Sequence, residues 1–512
     1  MKKIFSLVLC AVLIFSCVAV LAACSGEKVI MLWGPQEHKD LYLKWAEEFR
    51  QQHADELKGY VFDFAGSGDA GAQSAMTIDP TKGAAVYSFP NDQMAILANV
   101  GALSPVFGEN LDWSKSHNIE SAVEATKMGD SYMAYPLQAD NGYYMYYNKD
   151  AFRGTSVWDA ENDCLKDDYT FRDLYNALDE RGTGDSVYKD GNKNDIKLNW
   201  SNGKVCWPMA SAWYVSGMFF AVGGDYDVQY NADGKQTSAS CTFAYQLPDG
   251  KTSYKDGDFS IGLNAVECMK NSFLNADGKP NEHYMFADEG YNDKYMTYIN
   301  TANPSAVETP LAAMVCGTWK AKDIQGFWGD DYAATYLPVL EGLDGARYAW
   351  KNFAGYKHLG VNPLCEFAQD GGDANIILLH KLAQYMSDKQ SQLDRYELTG
   401  AGPSNKEALQ DEKVAKDAAL IALNKQYDRV CVYPQNTTVK DKNGNSMAGK
   451  PVGNGLGFRV QDSVPTNYWT PLQNFGQLLY DEFSTGSLNS FNAANITRTL
   501  GQLQKDIEKS AQ

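Results

Sequence analysis

Aromatic side chains recur at loop-like positions of this 512-residue chain, beside glycine, proline or polar residues. Taken singly, each ring is more often part of a core, because large rings dominate core burial. Several nevertheless follow predicted strands, where open α/β sheets place ligands. A ring face with a carboxylate or amide at its edge suits a sugar, whose C–H faces pack on the ring while its hydroxyls form hydrogen bonds. The candidate rings are Trp33, Phe89, Trp213, Tyr214, Trp319, Trp328, Tyr356 and Trp469.

Motifs for catalysis or cofactor binding are weak by comparison. Residues 66–71 read G-x-G-x-x-G, the pattern of dinucleotide sites, but they follow the second predicted strand and we expect no helix to begin there. The specific signatures of zinc hydrolases and serine hydrolases are missing, although composition alone leaves a pair of glycosidase carboxylates open. We therefore expect neither a cofactor nor enzymatic activity.

A metal ion is not expected either. Asp190, Asn192 and Asn194 alternate as the ligands of a calcium loop do, but Ser201 stands where such a loop needs a bidentate glutamate. The six histidines include no pair spaced i, i+4. Whether the loop within 181–204 binds calcium is left open by the sequence.

The charge balance excludes one class of partner. The chain has 64 acidic and 45 basic residues, a formal net charge of −19. This excess repels nucleic acid and contradicts the basic surface that a nucleic-acid-binding protein needs. Beyond residue 24 the chain has seven cysteines at irregular spacings, without a C-x-x-C pair, and we expect them to be buried thiols.

The first 26 residues have the pattern of an export signal. Lys2 and Lys3 precede an apolar run, and residues 21–24, Leu-Ala-Ala-Cys, then match a lipobox. We expect cleavage of a signal peptide, residues 1–23, and a lipid on Cys24 that anchors the chain at the outer face of the cell membrane. A transmembrane anchor over 4–22 is the alternative, disfavoured because no basic cluster follows.

Predicted strands alternate with predicted helices at the start of the mature chain. Apolar runs predict strands over 29–33, 61–65 and 84–89, and helical spacing predicts helices over 38–52 and 93–100. The alternation indicates an α/β domain with a mostly parallel, doubly wound sheet.

The rest of the chain provides material for a second lobe, because about 490 residues exceed what one core usually organises. A further strand is predicted over 143–147. Polar stretches predict surface insertions at 181–204 and 225–260. The remaining predictions are helices over 376–398 and 405–428, a long excursion over 433–465, and final helices within 469–510.

Several short stretches carry a family resemblance. They are 32–37 (Leu-Trp-Gly-Pro-Gln-Glu), 89–93 (Phe-Pro-Asn-Asp-Gln) with 101–103, 146–150 (Tyr-Tyr-Asn-Lys-Asp), 317–321 (Gly-Thr-Trp-Lys-Ala) and 353–357 (Phe-Ala-Gly-Tyr-Lys). In combination they resemble the extracellular solute-binding proteins of bacterial ABC importers, specifically the maltose/maltodextrin-binding group. The stretch 146–150 is shared widely by sugar-binding members, whereas the last two are closer to the maltodextrin group.

The resemblance implies a two-lobed, periplasmic-binding-protein-like fold. Each lobe would be a mostly parallel sheet flanked by helices, with three crossovers, a ligand cleft between the lobes and closure on binding. The expected N-terminal lobe takes 25–138 and 350–428, the C-terminal lobe takes 139–349 and 466–512, and 429–465 is a crossover or insertion.

The resemblance also implies roles for individual residues. Asp92 would hydrogen-bond sugar hydroxyls, and the rings of Trp319 and Trp469 would stack on successive glucose units. Trp213 and Tyr214 match aromatic subsite positions of the family. The predicted ligand-binding residues are Trp33, Gln36, Glu37, Phe89, Asp92, Asp140, Asn141, Trp213, Tyr214, Trp319, Tyr356 and Trp469.

Polar positions of the family are matched less completely. Gln36 and Glu37 fall where the family carries contacts from the loop after the first strand. A glutamate that some members carry before the Tyr-Asn-Lys strand is replaced here by Asp140 and Asn141. This departure leaves open which hydroxyls are recognised there, and so the exact glycan.

The function expected from the resemblance is capture of maltooligosaccharides for an ABC importer. The partners would be the sugar, the permease subunits and, through the lipid on Cys24, the membrane, and we expect a monomer. One alternative keeps this role with a xylo-, manno- or galacto-oligosaccharide as ligand. Another is an exported glycan-binding adhesin or glycoside hydrolase.

Overall fold

The computed structural model describes residues 27–231, 236–244, 260–286, 291–441, 443–462, 464–465 and 467–509. The expected signal peptide and Cys24 lie outside these residues. Within them, no helix is both long enough and apolar enough to cross a bilayer.

Two compact units divide the chain. The first comprises the described part of Met1–Ala139 with Tyr356–Arg395 and Pro403–Ala408, and the second comprises the described parts of Asp140–Gly355, Tyr396–Gly402 and Leu409–Gln512. This division differs from the expected lobes over 350–355, 396–402 and 409–428, which the resemblance places in the first lobe. The helix Ala418–Tyr427 packs against the strands Tyr332–Thr335 and Tyr144–Asn148, and so it belongs with the second unit.

Parallel strands begin the sheet of the first unit. Lys28–Gly34 lies between Tyr60–Gly66 and Val86–Pro90, parallel to both. Val86–Pro90 also pairs antiparallel with the later residues of Asn352–Val361, a strand that pairs in turn with Tyr135–Asn141. The sheet is therefore mixed rather than purely parallel.

The first strand shows how the sheet of the first unit is covered. Ile30 and Leu32 point into one buried cluster, and Trp33 points into another. Because side chains alternate along a strand, these two clusters cover opposite faces of the sheet. The helices of this unit include Lys39–Gln52, Gly68–Ile78, Met94–Asn99, Glu109–His117, Glu120–Glu124, Glu366–Gly371, Asp373–Met386 and the start of Lys389–Thr399, with a hairpin of Lys127–Met128 and Ser131–Tyr132.

Five strands form the main sheet of the second unit. Their order is Tyr284–Phe286, Lys204–Trp207, Leu311–Cys316, Tyr144–Asn148 and Tyr332–Thr335. The strand Tyr144–Asn148 runs antiparallel to its two neighbours, and the other pairings are parallel. Every residue of this strand and of Leu311–Cys316 is buried, as expected for central strands covered on both faces.

Helices and short hairpins surround this second sheet. The helices include Lys149–Phe152, Phe171–Arg181, Ala212–Ala221, Ser260–Phe273, Tyr291–Ile299, Pro304–Glu308, Ala321–Trp328, Glu412–Ala415, Ala418–Tyr427, Trp469–Phe483 and Ile496–Glu508. The hairpins include Trp158–Asp159 with Cys164–Leu165, Tyr188–Lys189 with Asp195–Ile196, Tyr226–Tyr230 with Gln236–Cys241, and Val339–Glu341 with Arg347–Ala349. Residues 352–354 pair with Phe458–Val460, a short strand inside the expected 433–465 excursion.

Most predicted elements are confirmed within a few residues, and one expectation is wrong. A helix does begin inside the G-x-G-x-x-G stretch, at Gly68, and runs to Ile78. The glycines do not prevent it because the helix is continued by the alanines and Met76, of which Ala72 and Met76 are fully buried. The predicted helix over 376–398 is two helices, divided after Met386. The predicted helix over 405–428 is also interrupted, and its α-helical parts are Glu412–Ala415 and Ala418–Tyr427.

Candidate ligand-binding site

A cluster of aromatic rings in the second unit gathers two of the predicted residues. Trp213 stacks on Phe353 with ring centroids 5.0 Å apart and planes 25° apart. The Trp469 ring lies 6.4 Å from Trp213, with planes inclined by 29°. Trp213 and Trp469 are only partly buried, whereas Phe353 is fully buried. We call Trp213, Phe353 and Trp469 the ring cluster.

Local packing holds the ring cluster in place. Trp213 lies in the first turn of the helix Ala212–Ala221, and that helix approaches its neighbours closely at Gly217. A β-carbon at Gly217 would lie 2.2 Å from the Tyr143 hydroxyl, so a larger residue would push the helix away. Trp469 begins its own helix beside Tyr468, whose hydroxyl donates to Ser216 Oγ at 2.9 Å.

Trp319 and Tyr214 complete the predicted rings of the second unit. Trp319 is partly buried and follows the strand Leu311–Cys316. A β-carbon at Gly317 would lie 2.0 Å from Trp319 Cζ3, so this glycine makes room for the indole. Tyr214 is 4% exposed and packs against Tyr143 at 4.7 Å, so its ring belongs to the core.

Asp140 and Asn141 are buried and are used inside the second unit. Asp140 Oδ2 accepts hydrogen bonds from Thr318 Oγ1 and, at 2.6 Å, from the Gly402 amide. Asn141 Nδ2 donates to Gln461 Oε1 at 2.6 Å. Asp140 thereby fixes the turn that carries Trp319, which gives this carboxylate a positioning role.

The polar candidates of the first unit lie in two neighbouring turns. Gln36 and Glu37 are exposed in the turn Gln36–His38, which follows the first strand. Asp92 is 9% exposed in the turn Asn91–Gln93, which follows the strand Val86–Pro90. The two strands are parallel neighbours, so both turns lie at the carboxyl edge of one sheet, the edge where such sheets bind ligands.

The rings predicted in the first unit are mostly core. Trp33 is 5% exposed and Phe89 is fully buried, and both belong to the same apolar cluster. Tyr356 is partly buried and stacks on the His358 ring at 6.4 Å. The Tyr356 amide donates to Asn91 Oδ1 at 3.1 Å, which ties this strand to the turn that carries Asp92.

Buried histidines distinguish the first unit electrostatically. Burial, together with the charges of Arg395 and Lys357, lowers the pKa of His38 to about 2. Burial alone lowers the pKa of His358 to about 3 and that of His380 to about 4. These three rings are therefore neutral in the folded protein at pH 7.

Two residues of the site escaped sequence reasoning. Phe353 supplies the central ring of the cluster, and Tyr143 contacts both Trp213 and Tyr214. Phe353 begins the stretch 353–357 that carried the resemblance, and Tyr143 begins the tyrosine run predicted as a strand. The signal was present, but both residues read as core because they lie inside apolar runs.

In the calcium-like loop, the Asp190 carboxylate accepts its hydrogen bonds from residues of the same loop. Asp190 Oδ1 accepts from the amides of Asn192 and Asn194 at 2.9 and 2.7 Å, and Asp190 Oδ2 accepts from Asn194 Nδ2 at 3.0 Å. The same arrangement recurs at Asp441 with Asn443 and Asn445. The alternating pattern is thus explained by turn formation.

Comparison with known families decides the class of the protein. No curated protein sequence matches the chain. Residues 44–422, about three quarters of the chain, match the family described as bacterial extracellular solute-binding protein. The chain belongs to that family.

Solved structures confirm the predicted fold of this solute-binding protein. The maltodextrin-binding protein of L. casei BL23 is 19% identical, with a TM-score of 0.57, over 94% of this chain and 99% of its own. The GacH receptor of Streptomyces glaucescens is 13% identical, with a TM-score of 0.59, over 94% and 100%. The maltotriose-binding protein of Thermus thermophilus is 14% identical, with a TM-score of 0.55, over 93% and 98%. The likeness establishes the two-lobed α/β fold.

Proposed function

We propose that this solute-binding protein captures maltooligosaccharides for an ABC importer. The observation that carries the proposal is the pair of partly buried tryptophans, Trp213 and Trp469, whose planes are inclined by only 29°. Rings in this arrangement offer faces on which sugar C–H groups pack. Trp319, also partly buried, adds a third candidate face within the same unit.

Hydrogen bonding to the sugar falls to different residues. Gln36 and Glu37 are exposed at the carboxyl edge of the first unit's sheet and can donate to or accept from hydroxyls. Asp92 follows the neighbouring strand, and the resemblance gives this carboxylate the same role. Charged acceptors bind hydroxyls more strongly than neutral ones, so Glu37 and Asp92 would contribute most to orientation.

The proposed sugar class draws on the structural relatives. The Thermus thermophilus protein was solved with maltotriose, and MalX from Streptococcus pneumoniae was solved with maltopentaose. Xylo-, manno- and galacto-oligosaccharides are the alternatives within the same role. Stacking alone does not separate these sugars, because each presents an apolar C–H face.

Anchoring and delivery complete the proposal. Lipidation at Cys24 would hold the chain at the outer face of the membrane, where it would deliver its ligand to the permease as a monomer. Labelling with a radioactive fatty acid tests the anchor: we expect label on the wild type and none on Cys24→Ala. Equal labelling of both proteins would refute the lipid anchor and leave the binding proposal untouched.

Calorimetric titration of the chain from Ser25 to Gln512 tests the ligand. Maltotriose and longer α-glucans are compared with xylo- and manno-oligosaccharides, and each mixture is checked for hydrolysis by chromatography. We expect binding of α-glucans with the sugar intact. Binding of another glycan alone would correct the ligand, and cleavage would replace the transport role by that of a glycoside hydrolase.

A further inference from the structure

A histidine and two carboxylates meet at an edge of the second unit's sheet. His283 is 3% exposed, and its Nε2 lies 3.1 Å from Asp179 Oδ1. The ligand atoms of His283, Asp179 and Glu282 all lie within 4.8 Å of one another. Asp179 and Glu282 are themselves exposed, so a cation could reach them from solvent.

The tautomer of His283 is fixed by its other nitrogen. Nδ1 lies 2.9 Å from the Gly203 carbonyl oxygen, which can only accept a hydrogen bond. Nδ1 must therefore carry a hydrogen, and in the neutral ring Nε2 then presents a lone pair. That lone pair faces the carboxylate of Asp179, so two acceptors lie within hydrogen-bond distance. A metal ion bound by both atoms would make this contact favourable.

The surroundings of His283 match those of a metal-ligating histidine. Such histidines almost always donate their second ring N–H to a carbonyl or carboxylate, as His283 does to Gly203. The backbone is also held: the His283 carbonyl accepts from the Val205 amide at 2.7 Å, and its amide donates to Asn281 Oδ1 at 2.9 Å. The second carboxylate, Glu282, completes a set of three ligands.

We propose that His283, Asp179 and Glu282 bind a divalent zinc-type cation. Zinc takes nitrogen and oxygen ligands at about 2.0–2.2 Å, which places tetrahedral ligands about 3.4 Å apart. The 3.1 Å separation of Nε2 and Oδ1 is close to that value, and small rotations of the exposed carboxylates bring Glu282 into range. The Lys204 ammonium donates a hydrogen bond to the Glu282 backbone carbonyl. It is therefore a nearby positive charge that competes with a metal ion for the carboxylates.

The site is separate from the proposed sugar site and would be structural. His283 and Gly203 directly precede two parallel strands, Tyr284–Phe286 and Lys204–Trp207, so the cation would sit at their amino ends. Trp213 and Trp319 follow the carboxyl ends of strands in the same sheet. Asp179 lies in the last turn of the helix Phe171–Arg181, so a bound ion would clip that helix to the sheet edge.

Titration of the full chain with zinc alone tests the proposal. After dialysis against EDTA, the wild type competing with a chromophoric chelator should take up one tight equivalent of Zn²⁺. Asp179→Asn and Glu282→Gln should each weaken that binding by at least tenfold. Both residues are exposed, so these variants keep the core intact even if His283→Gln does not fold. His53→Gln, at a histidine on another helix end, is the control and should bind like the wild type.

Thermal unfolding gives a second readout. Zinc should raise the melting temperature of the wild type and of His53→Gln, and at the same zinc concentration it should raise those of Asp179→Asn and Glu282→Gln less, because the stabilisation grows with the affinity for the folded state. Wild-type affinity in Asp179→Asn, or no zinc uptake by the wild type, would overturn the proposal. These measurements involve no sugar, so their outcome is independent of the proposed transport role.

Discussion

Three selected tryptophans of the second unit are only partly buried, whereas two selected rings of the first unit are buried. Trp213, Trp319 and Trp469 keep part of their surface in solvent, whereas Trp33 and Phe89 are covered by their own apolar cluster. The first unit instead exposes Gln36 and Glu37 at the carboxyl edge of its sheet. The second unit therefore offers ring faces, and the first unit offers polar groups at the edge of its sheet.

The two units also differ in how they accommodate histidine. His38, His358 and His380 are buried in the first unit with lowered pKa values, and within the described residues neither ring nitrogen of His38 or His358 has a hydrogen-bond partner. His283 in the second unit is equally buried but faces a carboxylate. Protonating His38, His358 and His380 should therefore destabilise the first unit.

The largest expected effect is the loss of stability of the first unit in acid. The three histidines have folded pKa values below the unfolded value of 6.5, so their neutral forms stabilise the fold fully above pH 6.5 and less as the pH falls. Between pH 6.5 and 4 each should cost about 1.4 kcal/mol per pH unit, or roughly 4 kcal/mol per unit together. Hydrogen exchange at pH 5 against pH 7 should show the first unit opening first.

A substitution can check the acid effect for one ring. His358→Leu removes a buried titrating group with little change in packing. The number of protons taken up on unfolding, measured from the slope of unfolding free energy against pH, should therefore fall by one. If the second unit opens first in acid, the contrast between the units does not arise from these histidines.

Removing a core ring should cost more than removing a ring of the cluster. Phe89→Ala deletes a fully buried side chain and should lower the free energy of unfolding by about 3–5 kcal/mol. Sugar binding by the protein that remains folded at low temperature should stay close to that of the wild type. Chemical denaturation and calorimetry on the same sample separate the two effects, and a large loss of affinity with unchanged stability would place Phe89 in the binding site.

The partly buried tryptophans should show the opposite pattern, a large loss of sugar binding with a smaller loss of stability. Trp469→Ala and Trp319→Ala should each weaken sugar binding by about 1–3 kcal/mol, as aromatic anchors do. Stability should fall less than in Phe89→Ala, because these rings bury less of their surface. Trp113→Ala, at a partly buried tryptophan of the first unit, is the matched control and should bind normally. Wild-type affinity in either variant would remove that ring from the site.

The strand pattern was predictable because it depends on local apolar runs. The strands Lys28–Gly34, Tyr60–Gly66 and Val86–Pro90 fall within two residues of their predicted bounds. The helix at Gly68–Ile78 was missed because glycine weighs against helix locally, while buried Ala72 and Met76 stabilise it through packing. Packing partners distant in sequence are not visible in a local pattern.

The same limit applies to the candidate site. Trp213 and Trp469 lie together in the structure and are partly buried, whereas Trp33 and Phe89, which were selected by the same rule, are buried. The sequence around a ring that follows a strand looks the same whether the ring is exposed or buried, because exposure depends on what packs against the ring from elsewhere in the chain. Asp140 was selected as a ligand-binding residue, but its carboxylate accepts hydrogen bonds from Thr318 and Gly402. Both partners are distant in sequence, so a local pattern could not predict these bonds.

The smallest expected effect concerns the polar edge of the first unit. Gln36→Ala removes one neutral hydrogen-bonding group and should weaken sugar binding by about 0.5–1.5 kcal/mol. The Gln36 amide also lies against Gly66, where a β-carbon would come within 2.3 Å of Gln36 Oε1. Gly66→Ala should therefore displace the same side chain and reproduce the loss.

A variant that combines Gln36→Ala with Gly66→Ala shows whether the two substitutions act through the same side chain. If Gly66→Ala acts only through Gln36, combining it with Gln36→Ala should add nothing, because the displaced group is already absent. Gly71→Ala, at a position where a β-carbon meets only Ser67 Cβ at 3.4 Å, is the control and should bind like the wild type. Calorimetry on the four proteins measures the coupling. Additive losses would mean that Gly66 itself contacts the ligand, and no loss in either single variant would leave hydrogen bonding in the first unit to Glu37 and Asp92.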